Sequence, residues 1–312
     1  VRIATFNVEN LFTRYRFARG VDPLVAKEQG FTSDDLRFRL HDAQSKRLTA
    51  DVIEALKADV VCLQEVEDLG TLKNFRDRFL GGPEVWPHAL VIDGNDDRLI
   101  DVGLLSKWPI VHARSWQHLR EGGRHVFDRD CLEADVEGPL GRVTFYVNHF
   151  KSMRPPEGAS GSGRALTHAR RKQQADAVMA IVRERFGDDG DGHFVIAGDF
   201  NDFLHDTDEG PSAIRDLVGW SAVRNVVERL PAHERWTHYW PGSRHRGLPE
   251  AYNQLDYLLV SKALADRSPG LPHIERRGQP KRAERFDGPR FQGVGGSRPK
   301  ASDHCPVVFE LG

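Results

Sequence analysis

The sequence is short of sulfur, with three cysteines and two methionines among 312 residues. No apolar run in it approaches the roughly eighteen residues that a membrane-spanning helix needs, so no transmembrane segment is expected. Cys62, Cys131 and Cys305 lie far apart and are odd in number, which argues against a disulfide framework and a closely spaced zinc site and leaves buried free thiols. An excess of one charge is also missing. Forty-four Lys and Arg against 46 Asp and Glu give a formal net charge of -2, which excludes a globally basic nucleic-acid binder while leaving room for a local positive groove. There is no low-complexity tract and no repeat of solenoid period. Val1 runs straight into a strand-like segment without the charged-then-apolar pattern of a leader, so the expectation is a soluble protein, cytoplasmic or exported with its leader removed. No obligate protein partner is evident.

What is present is a regular alternation of short apolar runs and helical patterns, the signature of an α/β protein with covered central strands. Arg2 to Phe6 leads into Asn7, Val60 to Leu63 into Gln64 and Glu65, Val143 to Val147 into Asn148 and His149, and Phe194 to Ala197 into Gly198 and Asp199. Leu255 to Val260 and Pro306 to Leu311 read as two further strands. Ser45 to Lys57 carries Leu48, Val52, Ile53 and Leu56 at helical spacing, and Arg164 to Phe186 reads as a long helix with a charged outer face. Loops are expected over 11 to 41, 153 to 163 and 267 to 302. No linker divides the chain, so residues 1–312 are read as one domain. A loose symmetry suggests two similar halves facing one site: the strand ending in Asn7 is matched with the one ending in Asp199 and Asn201, and His149 with His304.

The strands deliver oxygen- and nitrogen-bearing groups at their ends, where a rigid backbone can hold them to catalytic tolerances. Asn7, Glu65, Asp199, Asn201, Asp303 and His304 are such groups. Carboxylates and carboxamides suit a hard cation such as Mg²⁺, which keeps several waters and needs only one or two protein carboxylates.

The strings ATFNVEN, CLQEVED, GLLSKWPI, VNHFKS, IAGDFND, QLDYLLVS and SDHCPV occur in this order along nearly the whole chain. Together they resemble the endonuclease/exonuclease/phosphatase superfamily, the group of deoxyribonuclease I. The resemblance implies a four-layer α/β sandwich of two central, mostly antiparallel sheets flanked by helices, with two pseudo-symmetric halves. It also implies Mg²⁺ as cofactor, with Mn²⁺ or Ca²⁺ as alternatives, and hydrolysis of phosphoesters by in-line attack of water.

Carried over residue by residue, Asn7 and Glu65 resemble metal ligands, and Asp303 lies near the metal. Asp199 resembles the group that positions or deprotonates the attacking water, and Asn201 a donor to the phosphoryl oxygens. His304 would contact the phosphate or its nucleophile, oriented by Asp256. His149 would stabilise the transition state or protonate a leaving oxygen, with Asp101 as its carboxylate partner. Arg129, Lys151 and Ser152 would bind phosphate. Either Asp199 or His304 can serve as the base.

The shared core identifies the reaction better than the molecule hydrolysed. A basic segment from Arg276 to Lys300 and an alternation of Phe12, Tyr15 and Phe17 with Arg14, Arg16 and Arg19 favour a nuclease acting on DNA or RNA. The alternatives are a small-molecule or phospholipid phosphoesterase of the inositol-phosphate phosphatase or sphingomyelinase kind and, ranked last, a catalytically silent binding protein. Glu9, Asn10 and Leu11 stand where the abasic-site endonuclease branch, matched at SDHCPV, has Gly-Leu-Arg, which argues against that specialised role.

Overall fold

The structure, a computed structural model, describes residues 1–12, 15–17, 20–22, 25, 28, 38–40, 43–243 and 247–312. Twelve strands make two six-stranded sheets. The first four are β1 (Arg2–Leu11), β2 (Val60–Val66), β3 (His88–Val91) and β4 (Asp101–Ser106), and the next four β5 (Ile110–Ser115), β6 (Cys131–Gly138), β7 (Gly141–His149) and β8 (Phe194–Asp199). The last are β9 (Val223–Asn225), β10 (Asp256–Ser261), β11 (His273–Ile274) and β12 (Val307–Glu310). One sheet runs β11-β12-β1-β2-β4-β3 and the other β5-β6-β7-β8-β10-β9.

Alternation of side chains along the strands builds the layers. Ile3, Val60, Cys62, Val102 and Leu104 point inward from the first sheet and meet Leu132, Phe145, Val147, Val195, Ala197 and Leu258 of the second. The outward set of the first sheet, Ala4, Phe6, Val61 and Leu63, is covered by α1 (Ala43–Leu56) through Leu48, Val52, Ile53 and Leu56, and by α2 (Leu69–Phe79) through Leu72 and Phe75. The outward set of the second, Tyr146, Phe194 and Ile196, is covered by α3 (Gly163–Phe186) through Ala175, Val178, Ile181 and Val182. The result is the expected four-layer sandwich. The three cysteines are buried and free. Among the described residues no helix is long and apolar enough to cross a membrane.

The two halves follow one plan with a different pairing of parts from that expected. In each sheet a central parallel pair, β1 with β2 and β7 with β8, is flanked by antiparallel neighbours in the same succession. Asn7 sits opposite Gln64, Asn148 opposite Gly198, and Asp199 opposite Asp256. This register makes Asn148 the counterpart of Asn7, Asp199 that of Glu65, and Asp256 that of Asp101. The expected matches of Asn7 with Asp199 and of His149 with His304 are therefore replaced. A sequence motif marks a strand end but not which neighbour that strand will take.

Of the three loops, 267 to 302 is mostly irregular and contains only the two-residue β11. The segment 11 to 41 includes one short pairing, Tyr15–Phe17 with Phe38–Leu40. Arg14 and Arg19 lie outside the described residues, as do the side-chain surroundings of Tyr15, Arg16 and Phe17.

Candidate active site

The ends of the parallel pairs are locally distorted in a way that turns side chains toward one another. The β1–β2 register shifts between Asn7 and Leu11, and the β2–β4 register shifts between Gln64 and Val66. Glu9, Asn10 and Glu65 adopt positive φ of 47°, 61° and 65° there, a conformation that costs non-glycine residues energy and clusters at functional sites. In the second sheet Gly198 has φ 147°, and a Cβ at that position would stand 1.9 Å from the Asn148 carbonyl oxygen. Only glycine permits that approach, which brings Asp199 alongside His149. Asn201 follows at φ 50°.

One oxygen is the hub of the site. Asp199 Oδ2 accepts from Asn201 Nδ2 at 2.9 Å and from Asn7 Nδ2 at 3.1 Å, and lies 3.5 Å from His149 Nε2 and 3.7 Å from His304 Nε2. Its partner Oδ1 accepts from the Asn201 backbone N–H at 2.9 Å. Glu65 Oε1 is 3.5 Å from Asn7 Nδ2 and 4.0 Å from His149 Nε2, and Glu65 Oε2 accepts from the Asn10 backbone N–H. His304 Nδ1 is 2.8 Å from Asp256 Oδ2. Asp303, one residue before His304, keeps its side chain a third exposed with Lys300 Nζ at 3.9 Å. The Ser302 hydroxyl donates to the Asn7 carbonyl at 2.7 Å and accepts from the His304 N–H at 3.0 Å, so the serine of SDHCPV fastens this turn to β1.

Burial and neighbouring charge divide these groups. Desolvation pushes the Asp199 carboxyl up to about 7, with the Asp256 charge adding to it and His304 opposing. Burial raises Glu65, and the Asp303 charge raises it further. Burial alone would lower His304, but the Asp256 and Asp199 carboxylates outweigh it and hold the imidazole well above its ordinary value. His149 goes the other way, lowered well below 6.5 by burial and then by Arg129 and His304. Lys300 and His304 overcome burial at Asp303 and bring it down to about 2.

The remaining predicted residues stand apart. Asp101 accepts from the Gly94 N–H at 2.9 Å, while Nδ1 of His149 is buried without a partner, so no hydrogen bond joins the two. Burial lifts Asp101 to about 7. Arg129 is 1% exposed and donates to Asp96 and to the Phe150 carbonyl, bracing the loop after β7 while its charge reaches His149 and Glu65. Lys151 is held through its backbone N–H by Gln174 at 2.7 Å. Among the described residues neither the Lys151 ammonium nor the Ser152 hydroxyl bonds to the cluster.

His238 was not anticipated. It pairs with His304 through a backbone bridge, and the two rings lie 4.7 Å apart. Its Nδ1 is buried without a partner, and burial and His304 lower it to about 3. Flanking residues bracket the His304–Asp256 pair: the Thr237 hydroxyl accepts from the Asp256 N–H at 3.0 Å, and the Tyr239 N–H donates to the Asp303 carbonyl. A three-residue strand, His238–Trp240, carries it. The WTHYW string around it was the available signal, but it lacks a long apolar run to mark it.

Among the described residues no three His, Cys, Asp or Glu side chains close on one point as an all-protein metal cage would. Mg²⁺ does not demand such a cage. Burial and then the Asp303 charge disfavour Glu65 as an anion, a strain that a hard divalent cation would relieve, while Asn7 turns its Nδ2 to Glu65 and its Oδ1 to the Glu9 N–H. The residues present therefore fit the ion. A depression of about 1160 Å³ between the hairpin at 120–125 and α3 contains none of the cluster and is a separate feature.

Two packed sheets that converge imidazole, carboxylate and carboxamide groups at one end define a hydrolase of the α/β-sandwich class. The chain belongs to the Endonuclease/Exonuclease/phosphatase family, whose model matches residues 4–304. Solved structures of the same fold include beta toxin 275-280 from Staphylococcus aureus, 17% identical with TM-score 0.62, covering 99% of each chain. The D. rerio TDP2 complexed with single strand DNA product is 17% identical, TM-score 0.58, over 100% of this chain and 98% of that one. The human Nocturnin catalytic domain with bound sulfate anion is 15% identical, TM-score 0.58, over 100% and 94%. No curated protein sequence matches the chain.

Proposed function

We propose that the protein is a divalent-metal-dependent phosphodiesterase that acts on nucleic acid. The observation that carries this reading is the hub at Asp199 Oδ2, bracketed by two histidines and two carboxamides within 3.7 Å and lying beside Glu65. Asn7, Glu65 and Asp303 would hold Mg²⁺, or Mn²⁺ or Ca²⁺ in its stead, and the bound ion would neutralise charge developing on the phosphoryl oxygens.

The chain's own groups divide the remaining work. Asp199, with its carboxyl lifted to about 7, is suited to orient the attacking water and share its proton with His304. Asp256 fixes the His304 ring through Nδ1 and favours its cationic form, which can face a phosphoryl oxygen. His149 is lowered toward neutrality, and its Nε2 faces acceptors, so it serves as a hydrogen-bond donor to the substrate rather than as an acid. Asn201 spends its Nδ2 on Asp199 and on the Phe150 carbonyl, and so positions the Asp199 carboxylate.

The single-strand DNA product bound by the D. rerio TDP2 supports a nucleic-acid substrate. A small phosphodiester is the second reading, favoured by what the basic segment does. Arg276 donates to the Glu234 and Trp236 carbonyls, Arg277 pairs with Glu275, Arg290 binds three carbonyls, and Arg298 and Lys300 both grip Glu9. These cations are employed by the fold.

The test is hydrolysis of single-stranded DNA, RNA, plasmid, bis(p-nitrophenyl) phosphate and p-nitrophenyl phosphate with Mg²⁺ or Mn²⁺ and with EDTA. Cleavage of diesters is expected, abolished by EDTA and by His304→Ala. Activity undiminished in His304→Ala, or confined to the monoester, would sink the proposal.

A further inference from the structure

A second concavity adjoins the Asp199 cluster along the chain. Phe203 stands two residues after Asn201, and Gln254 two residues before Asp256, and both line a cavity of about 390 Å³ together with Trp236, Tyr252 and Arg285. That volume falls in the roughly 300–1,000 Å³ of small-molecule sites. Phe203, His205, Trp236, Tyr252 and Tyr257 give it aromatic walls. Trp236 and Tyr252 meet edge to face at 5.0 Å, and Phe203 stacks on His205 with planes 12° apart. The Arg285 guanidinium lies 4.5 Å from the Tyr252 ring centroid.

Within this aromatic lining one polar group is left over: the Gln254 side-chain Nε2 is buried and has no hydrogen-bond partner. An amide donor without an acceptor costs free energy unless a ligand or a water completes it. The combination discriminates among ligands. An acyl chain would leave the amide unmet, and a sugar offers the ring faces only C–H contacts rather than a second π-system. A flat ring carrying an in-plane acceptor satisfies both, by stacking on the aromatic walls and accepting from the amide.

We infer that this cavity is a subsite for a planar heteroaromatic ring joined to the scissile phosphate, a nucleobase or its equivalent, with Gln254 donating to an acceptor on the ring edge. The inference rests on the phosphodiesterase reading for where the phosphate lies. It adds Gln254 and Phe203 as residues that set substrate preference rather than perform the chemistry.

The experiment is calorimetric titration of the full chain, in EDTA so that no turnover occurs, with thymidine 5′-monophosphate and with deoxyribose 5-phosphate. The nucleotide is expected to bind about tenfold more tightly than the sugar phosphate, the scale of one base stacked on an aromatic platform. Gln254→Leu, which keeps the volume and removes the donor, and Phe203→Ala should each cut that advantage to about threefold or less. Equal binding of the two ligands would overturn the subsite, as would an undiminished advantage in both variants at unchanged melting temperature.

Hydrolysis of bis(p-nitrophenyl) phosphate by the same preparation with Mg²⁺ keeps the two readings separate. A tenfold advantage without hydrolysis would retain the ring subsite and remove the phosphodiesterase. Hydrolysis without any advantage would do the reverse.

Discussion

The two histidines of the site share one carboxylate and differ in almost everything else. His304 has Asp256 at 2.8 Å on the ring nitrogen that points away from the hub, while the corresponding nitrogen of His149 is buried with no partner. Their proton affinities part accordingly, one well above and the other well below the ordinary imidazole value. The symmetry of the sheets provides an aspartate at both equivalent places, Asp256 and Asp101. Only Asp256 is used as a histidine partner. Two imidazoles from positions that the symmetry does not relate thus flank one carboxylate, one raised and the other lowered in proton affinity.

The largest effect expected from breaking this contrast is at His304. Its replacement by Ala should lower kcat/KM for a phosphodiester by at least about 10³-fold, since both a proton-handling group and a fixed charge are lost. Asp256→Asn should cost about 10²-fold at unchanged melting temperature, because the ring remains but its charged form is no longer favoured. An equal loss in both variants would mean that His304 acts only through Asp256.

A sharper test uses acidity in the metal-free protein, read by thermal unfolding in EDTA. His149 has a folded pKa below its unfolded value of 6.5, so its contribution is complete above 6.5 and is lost as pH falls below it, where only the unfolded ring takes up a proton. His304 has a folded pKa above 6.5, so its contribution is complete below 6.5 and is lost as pH rises through the folded value. His149→Gln should therefore lose less stability than wild type between about pH 7 and about pH 5, and His304→Gln less between about pH 7 and about pH 9. Parallel curves for both variants and the wild type would remove the opposition. The smallest effect is expected for Asp101→Asn, less than about fivefold in kcat/KM, because Asp101 bonds to Gly94 and not to His149. A loss as large as that of Asp256→Asn would restore Asp101 as the partner of His149.

How much of this was legible beforehand depended on whether a residue sits at the end of a long buried strand. Asn7, Glu65, His149, Asp199 and Asp256 do, and the apolar run before or after each one announced it. Gly198 was legible only as a residue after the strand, because the approach of the Asn148 carbonyl that demands glycine there exists only in the folded sheet. His238 was missed because a three-residue strand offers no periodicity to read. The cations of the basic segment were visible, but their partners were not: Arg276, Arg277 and Arg290 are engaged by backbone carbonyls and by Glu275, groups that only the folded loop brings near them. Arg129 illustrates the same limit, since nothing local tells a substrate-facing guanidinium from one that is 1% exposed and braces a loop. Asp101 was chosen for its chemistry, whereas its bond to Gly94 is set by a turn that chemistry does not encode.

The β12 pairing with β1 has a temporal consequence. Thr5 faces Val307 and Arg2 faces Glu310, so the last strand, with Ser302 on the Asn7 carbonyl, anchors the turn carrying Asp303 and His304 to the first strand. During synthesis the chain makes its early domains and contacts first and its most distant contacts last. Asn7 and Glu65 can take their places while most of the chain is still unmade, yet the hub lacks His304 until β12 has left the ribosome and closed the sheet. An unfinished chain thus holds the Asn7 and Glu65 side of the cluster without the turn that brings His304 to it.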